Sequence, residues 1–457
     1  MSYYTSRGSS YGSSIRGSEP GHGGYGGYRS QNEPNPTLPP DRDLMEGLKD
    51  GVIRTISKPS VDISTGEAIK PENVTYIGSY NWVEEDQPTI IVPGSPPEWR
   101  NRAFPYRVRY DTGARWVDQN SFRMAGSSCL LPLLRAVDVV CEDNADTSFD
   151  WSTVDIVTDR NGLRKLMRWL LYSGAESAAE PLKEFRIDLQ LGGKKTVLMH
   201  RWEKRTREIA TPPRSGCGIN FERESTTPAK GCERSTGHHR IVQYDFGGLK
   251  VVVRFEVDAC LPQPASTTST LRTSRTQHAS PATRTTTSTS DVDSLTNIML
   301  GLNVSTTNTA PASPPSRATD IAVIHGGTQV PQSSIVELVT RSENYIDEFS
   351  WAEQYPQLLL SYTPHLFLAA HNRGNFERMI KHELGSTELR NIEDNARVQR
   401  TFRKLAAALR AIQDLVKGHG QRGRLSLVCQ SDGTLEVYQR TSDRGVLPDS
   451  ELERFGI

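Results

Sequence analysis

Residues 241–259, IVQYDFGGLKVVVRFEVDA, constrain the fold more than any other part of the chain. Two β-rich runs, Ile241–Phe246 and Lys250–Ala259, meet at Gly247-Gly248, which predicts a hairpin closed by a two-glycine turn. On the second arm Arg254, Glu256 and Asp258 recur at period two among Val251, Val252, Val253, Phe255 and Val257. Three charges therefore share one face of an apolar strand, and burying them is costly unless they are paired or bind a metal. Carboxylates at i and i+2 converge on one point, where a hard cation such as Mg²⁺ finds the oxygen ligands it prefers. For Glu-x-Asp alone, an edge strand with its polar face in water is the simpler account.

Around this hairpin the pattern alternates between strands and helices. Val74–Trp82, Thr89–Val92, Tyr106–Tyr110, Val154–Val157, Ser334–Thr340 and Leu366–Ala370 read as strands. Phe185–Leu191 with Thr196–Trp202, and Leu425–Cys429 with Leu435–Gln439, read as hairpins. Leu130–Val140, Leu163–Tyr172, Ser350–Leu360 and Asn395–Lys417 read as helices, the third ended by Pro364. The class is mixed α/β.

Two segments do not fit a packed core. Residues 1–40 are dominated by Gly, Ser, Tyr and Arg, and residues 263–317 by Ser, Thr, Pro and Arg. Neither can bury enough apolar surface to offset its ordering entropy. Residues AVILMFWYC supply only 35% of the chain, and glycine does not bring the total to the roughly 45–50% usual for a globular protein. We therefore expect one catalytic-size domain, 41–262 with 318–457, carrying a disordered tail and a disordered insertion. Loop closure costs little more for a long insertion than for a short one, so continuity across it is physically reasonable. Inside the insertion, Leu295, Ile298, Met299 and Leu302 share one helical face, which makes 291–304 a candidate docking motif for another protein.

Lys+Arg and Asp+Glu both number 54, so bulk charge does not make this a nucleic-acid coat, although a local basic groove remains open. No run of eighteen apolar residues predicts a membrane span, and MSYYTSRGSS lacks the apolar centre of a secretory signal. The six scattered cysteines lack the Cys-x-x-Cys spacing of a zinc or redox site and read as reduced thiols of the nucleus or cytoplasm.

Further acidic residues change the weight of the charged strand. Glu337 stands alone among apolar neighbours in SSIVELVT, Glu222 follows Ile219 and Phe221 in GCGINFE, and Arg160 sits at the mouth of a helix in VTDRNGLRK. Isolated carboxylates with a basic helix opening suit a two-metal phosphodiester site. The order Arg160, Glu222, Glu256 with Asp258, then Glu337 resembles the DXO-type decapping nucleases, relatives of the fungal partner of the nuclear 5′–3′ exoribonuclease. Lys165 five residues after Arg160, the Gly-x-x-Phe-Glu around Glu222, and Gln357 seven residues before Pro364 extend the match.

That resemblance implies a single mixed α/β domain with two β-sheets, flanking helices and a core like the restriction-type nucleases. It implies Glu222, Glu256, Asp258, Glu337 and the Leu338 carbonyl as ligands of Mg²⁺ or Mn²⁺, with Glu256, Asp258 and Glu337 catalytic, and Arg160 and Gln357 on the RNA 5′ end. It further implies a monomer that hydrolyses incomplete or non-canonical caps and 5′-triphosphate ends, with 5′–3′ exoribonuclease activity or such a nuclease as partner. One position departs: where the family has a Lys two residues after the Glu, this chain has Val339. Either the site is degenerate and the protein only binds RNA ends or scaffolds a nuclease, or another cation substitutes. Arg254 is the candidate, which would then also contact substrate, its alternative being a surface ion pair with a neighbouring strand.

Three other signals are set aside. His238-His239 point to opposite faces of an extended chain and read as a polar loop with at most one phosphate contact. The acidic run Glu142–Asp146 lacks the second motif and the all-helical fold that prenyl diphosphate chemistry needs. Gly192-Gly193-Lys194-Lys195-Thr196 has Asp188 where a phosphate loop needs its first glycine, and reads as a hairpin turn.

Overall fold

The structure is a computed structural model that describes residues 38–61, 68–144, 148–174, 182–263 and 320–456. Chain contacts group 1–262 and 317–457 as one compact unit, to which nearly all described residues belong, and Gln263–Ser316 as another. The apolar stripe at 291–304 lies outside the described residues.

An eleven-stranded sheet organises the unit. From edge to edge its strands are Arg54–Ile56, Leu435–Gln439, Leu425–Cys429, Phe185–Gly192, Thr196–Trp202, Ile156–Asp159, Leu249–Val257, Ser235–Phe246, Glu72–Val83, Thr89–Pro93 and Ala322–Gly326. A seven-stranded sheet centres on Ile335–Ser342 and His365–Asn372, and a third, two-stranded sheet pairs Arg207–Ala210 with Gly113–Trp116. The mixed α/β fold with two main sheets and flanking helices is the one expected.

Strand alternation builds the layers. On Leu249–Val257 the odd positions Val251, Val253, Phe255 and Val257 enter a core shared with the helices Arg160–Leu171, Trp351–Ser361 and Ala396–His419. Val252 points the other way, into a core with the helix Leu131–Asp143. Beyond Val252 that second face turns charged, at Arg254 and Glu256. After Val257 the chain leaves the large sheet, and Ala259–Cys260 pairs in the second sheet, antiparallel to Ile335–Ser342. Asp258 is the residue at the crossing.

The central hairpin closes as expected. Gly247 and Gly248 both have positive φ, 56° and 79°, the requirement of a type I′ turn. The Gly193 turn is likewise a hairpin turn, between Phe185–Gly192 and Thr196–Trp202. Gly193 has φ 56°, and a Cβ there would stand 2.2 Å from the Phe455 carbonyl oxygen. The glycine is needed for close backbone packing. Gly193→Ala is expected to cost about 1–3 kcal/mol, combining left-handed strain with displacement of the C-terminal turn. Urea unfolding checks it, and an unchanged midpoint would contradict the packing account.

Several expectations need correction. Tyr106–Tyr110 forms a strand only at Tyr106–Arg107, and Val108 then donates its N–H to the Gly374 carbonyl as the chain turns away. The strand expected at Val154–Val157 runs Ile156–Asp159, because Trp151–Thr153 forms a 3-10 turn first. His238 and His239 do lie on opposite faces, but of the buried strand Ser235–Phe246, and no polar loop exists there. The sequence reading missed Asn375–Glu383, whose exposed Glu377 and Arg378 interrupt the alternation. No cysteine pairs with another. Among the described residues no helix is long and apolar enough to cross a membrane.

Candidate active site

The two main sheets meet where the acidic residues lie. Asp258, at the crossing, accepts a 2.8 Å hydrogen bond from the Leu338 backbone N–H. In an extended strand the N–H and C=O of one residue share a side, so the Leu338 carbonyl also faces the Asp258 side. Glu337 precedes it on Ile335–Ser342 and is only 4% exposed. One carboxylate oxygen accepts from Arg160 Nη1 at 2.8 Å, and the other from Gln357 Nε2.

Local sequence explains how these partners arrive. Arg160 is the first residue of the helix that follows Ile156–Asp159 directly, so its side chain leaves the end of the central sheet. Its guanidinium lies 5.7 Å from the Phe255 ring centroid, and Nη1 also donates to Ser361 Oγ at 3.3 Å. Gln357 faces it from the helix Trp351–Ser361, which ends at Tyr362 in the left-handed conformation.

Glu222 sits on the short helix Gly218–Ser225. The Asp111 carboxylate accepts the Ile219 and Asn220 N–H groups at 3.2 and 2.9 Å and so holds that helix start. Phe221 anchors the other side, with its ring centroid 4.5 Å from that of Phe376. Glu256 is open to solvent along one edge. A Cβ on Gly237 would stand 3.2 Å from Glu256 Oε1 and 2.7 Å from Gln119 Nε2. Gly237 thus lies between Glu256 and Gln119, whose amide is bonded to Thr236 through both polar atoms, a neighbourhood that nothing in the linear sequence signals.

The four carboxylates feel one another. Burial, then the charges of Asp258, Glu256 and Glu337, push the Glu222 carboxyl well above the usual range. Burial and then Glu337 push Asp258 up to about 8. Glu256 is raised by enclosure of its inner side, despite its exposed edge, with Glu337 adding to the effect. Glu337 alone goes the other way: burial opposes its charge, but Arg160 and then Arg164 hold it below the usual range. Three carboxylates of raised proton affinity beside a fourth held charged are the oxygen donor type that a hard divalent cation prefers. Among the described residues, however, no three His, Cys, Asp or Glu side chains stand together so as to hold a metal ion. Glu337 is turned to Arg160 and Gln357, and Asp258 to the Leu338 N–H.

Arg254 requires correction. It was expected to place a cation beside the carboxylates and contact substrate, yet it is 1% exposed and spent elsewhere. Nε and Nη2 bind the Asp159 carboxylate in a fork at 2.6 and 3.0 Å, and Nη1 donates to Cys129 O at 3.1 Å and Tyr80 Oη at 3.3 Å. An ion pair with the neighbouring strand forms, as in the alternative weighed, but it is buried and not at the surface. Val339 packs against the large core, and the cation beside the acidic group is Arg160. Lys165 is paired with Glu203 at 3.1 Å.

Comparison with solved structures follows this geometry. The fold is similar to that of Scheffersomyces stipitis Rai1 in complex with (3'-NADP)+ and calcium ion, at 11% identity and a TM-score of 0.51, covering 88% of this chain and 99% of that one. S. pombe Rai1 in complex with 3'-FADP (14% identity, TM-score 0.45, 83% of this chain and 97% of that one) is also similar. So is K. lactis Dxo1 in complex with manganese (8% identity, TM-score 0.46, 84% and 96%). Comparison with curated proteins gives no match. The class defined by the two-sheet architecture is thus the Rai1/Dxo1 fold, and the resemblance read from the motifs holds at the level of the fold. Within it, the chain belongs to the family described as Domain of unknown function (DUF8563), whose family model matches residues 50–455.

Proposed function

We propose that the protein is a divalent-metal-dependent hydrolase of RNA 5′ ends, acting on triphosphate or non-canonically capped termini in the nucleus or cytoplasm. The observation that carries this is the mutual electrostatic influence of Glu222, Glu256, Asp258 and Glu337, with Arg160 and Gln357 bonded to Glu337 and the Leu338 N–H to Asp258 where the two sheets meet. The fold it shares with S. stipitis Rai1, a protein solved with a dinucleotide and calcium, supports the same reading. The likeness of the core to restriction-type nucleases belongs to it too.

In this reading the four carboxylates and the Leu338 carbonyl hold Mg²⁺ or Mn²⁺. Such a cation, when bound, lowers the pKa of a bound water and stabilises charge on the leaving oxygen. The chain's own residues do the rest. The Leu338 N–H fixes the Asp258 carboxylate. Gln357 and Arg160 orient Glu337, and Arg160 keeps it charged. Arg160 also stands at the mouth of its helix, where a terminal phosphate would meet both the guanidinium and the positive end of the helix dipole.

The full chain with Mn²⁺ or Mg²⁺ is expected to hydrolyse at least one of 5′-triphosphate, unmethylated-cap, NAD-capped and 5′-monophosphate RNA, and to stop when the metal is chelated. Binding of these ends without turnover on any of them would replace the enzyme reading with that of an RNA-end-binding scaffold, in line with Val339 at the family's lysine position.

A further inference from the structure

Arg164 lies one helical turn beyond Arg160 on Arg160–Leu171 and is 7% exposed. It makes no hydrogen bond or ion pair among the described residues, and its Nη2 is sealed from solvent without a partner. Every other buried arginine among the described residues has one: Arg254 binds Asp159, Arg186 binds Asp188, Arg240 binds Gln332, and the rest bind a carboxylate, a carbonyl or a hydroxyl. A guanidinium is always charged and carries several donors in a fixed fork. Burying one unpaired is strongly unfavourable, and no described residue offers it a compensating bond.

Its surroundings give the cost a purpose. Residues four apart share a helix face, so Arg164 continues the side on which Arg160 grips Glu337. The nearest charges are Arg168 and Arg160, which repel it, and Glu337 and Glu353, which attract it without pairing. On Trp351–Ser361, which packs against this helix, Gln357 bonds Glu337 through its Nε2 while its buried Oε1 lacks a partner. Unfilled donors and acceptors thus border the acidic group on one side. Arg160 is already neutralised by Glu337 and Arg168 is only half-buried, so the buried positive charge of this wall that lacks a partner among the described residues is Arg164.

We propose that Arg164 is a phosphate-binding residue, taking phosphoryl oxygens of the substrate's 5′ end in the fork geometry a guanidinium offers. The identity of the ligand rests on the RNA-end reading above; the existence of an anion site does not. The test uses the full chain in EDTA, as wild type, Arg164→Met and Arg164→Lys, with inorganic tripolyphosphate, a 5′-triphosphate pentanucleotide RNA and its 5′-hydroxyl counterpart. Tripolyphosphate is expected to raise the Tm of the wild type and not of Arg164→Met, with Arg164→Lys between. Arg164→Met is expected to weaken binding of the triphosphate RNA by about 10-fold or more and to leave the 5′-hydroxyl RNA unaffected. Its own Tm should equal or exceed that of the wild type, since an unpaired buried charge is removed. A lower Tm with unchanged preference between the two RNAs would overturn the proposal and make Arg164 a structural cation. If tripolyphosphate acts through Arg164 while the wild type does not distinguish the RNAs, the anion site stands and the RNA-end reading falls. If neither probe responds to the substitution, the inference is wrong.

Discussion

Glu256→Gln and Asp258→Asn are each expected to lower hydrolysis of RNA 5′ ends by at least about 10²–10³-fold, while the Tm stays at or above the wild-type value. The two readouts move apart for one physical reason. Burial and Glu337 push the Asp258 carboxyl up to about 8, so the metal-free fold holds this group at a cost. An amide removes the repulsion, keeps an oxygen for the Leu338 N–H now 2.8 Å away, and withdraws the charge that a cation and a reacting phosphate require. Loss of function with unimpaired stability marks a site maintained against the fold. Steady-state kinetics beside thermal unfolding check it. A variant with near wild-type turnover would remove the carboxylate from the chemistry, and a variant that loses activity only by unfolding would make it a structural group.

Arg254→Met is expected to destabilise the protein by about 3–5 kcal/mol, the usual consequence of breaking a buried ion pair from one side. Asp159 is 7% exposed, and burial would drive it to bind a proton but for Arg254, which holds it below the usual carboxylate range. Removing the guanidinium leaves that carboxylate unpaired in the core, and also the Tyr80 hydroxyl and the Cys129 carbonyl. The double variant Arg254→Met/Asp159→Leu should recover most of the loss, because a paired set exchanged for apolar groups is close to neutral. Urea unfolding of both variants decides. If Arg254→Met unfolds like the wild type yet no longer binds RNA, Arg254 works at the site as the sequence first suggested.

These two residues, two positions apart on one strand, show what could be read in the sequence. Period-two alternation from Val251 to Val257 placed Arg254 and Glu256 on a common face, and the order of the isolated carboxylates pointed to one pocket. Alternation says which side a residue faces but not what meets it there. Arg254 is matched by Asp159, 95 positions away, through a parallel strand register that no local pattern encodes. The carboxylates lie farther along the same face, past the point where the neighbouring strand ends.

The same limit explains the other misses. Asn375–Glu383 is a strand because His365–Asn372 pairs with it, and its mixed exposure hides the alternation. Asp258 read as one more strand residue, whereas it marks the step between two sheets, a property of tertiary connection. Gln119 reaches Thr236 and the Gly237 beside Glu256 from a five-residue helix whose start is fixed by Asp118 accepting the Ser121 N–H. Arg164 had one visible signal, its spacing of four from Arg160, but its lack of a partner among the described residues is a fact of packing alone.

The central claim is that Glu222, Glu256, Asp258 and Glu337 form one metal-holding centre. Anomalous scattering from crystals of the full chain grown with Mn²⁺ tests it most directly. The account predicts a strong peak bounded by these carboxylates and the Leu338 carbonyl at oxygen distances of about 2.0–2.6 Å, with Glu337 drawn toward it from Arg160, and loss of that peak in Asp258→Asn. A peak elsewhere, or none at saturating Mn²⁺ with Glu337 still bound to Arg160 and Gln357, would contradict it.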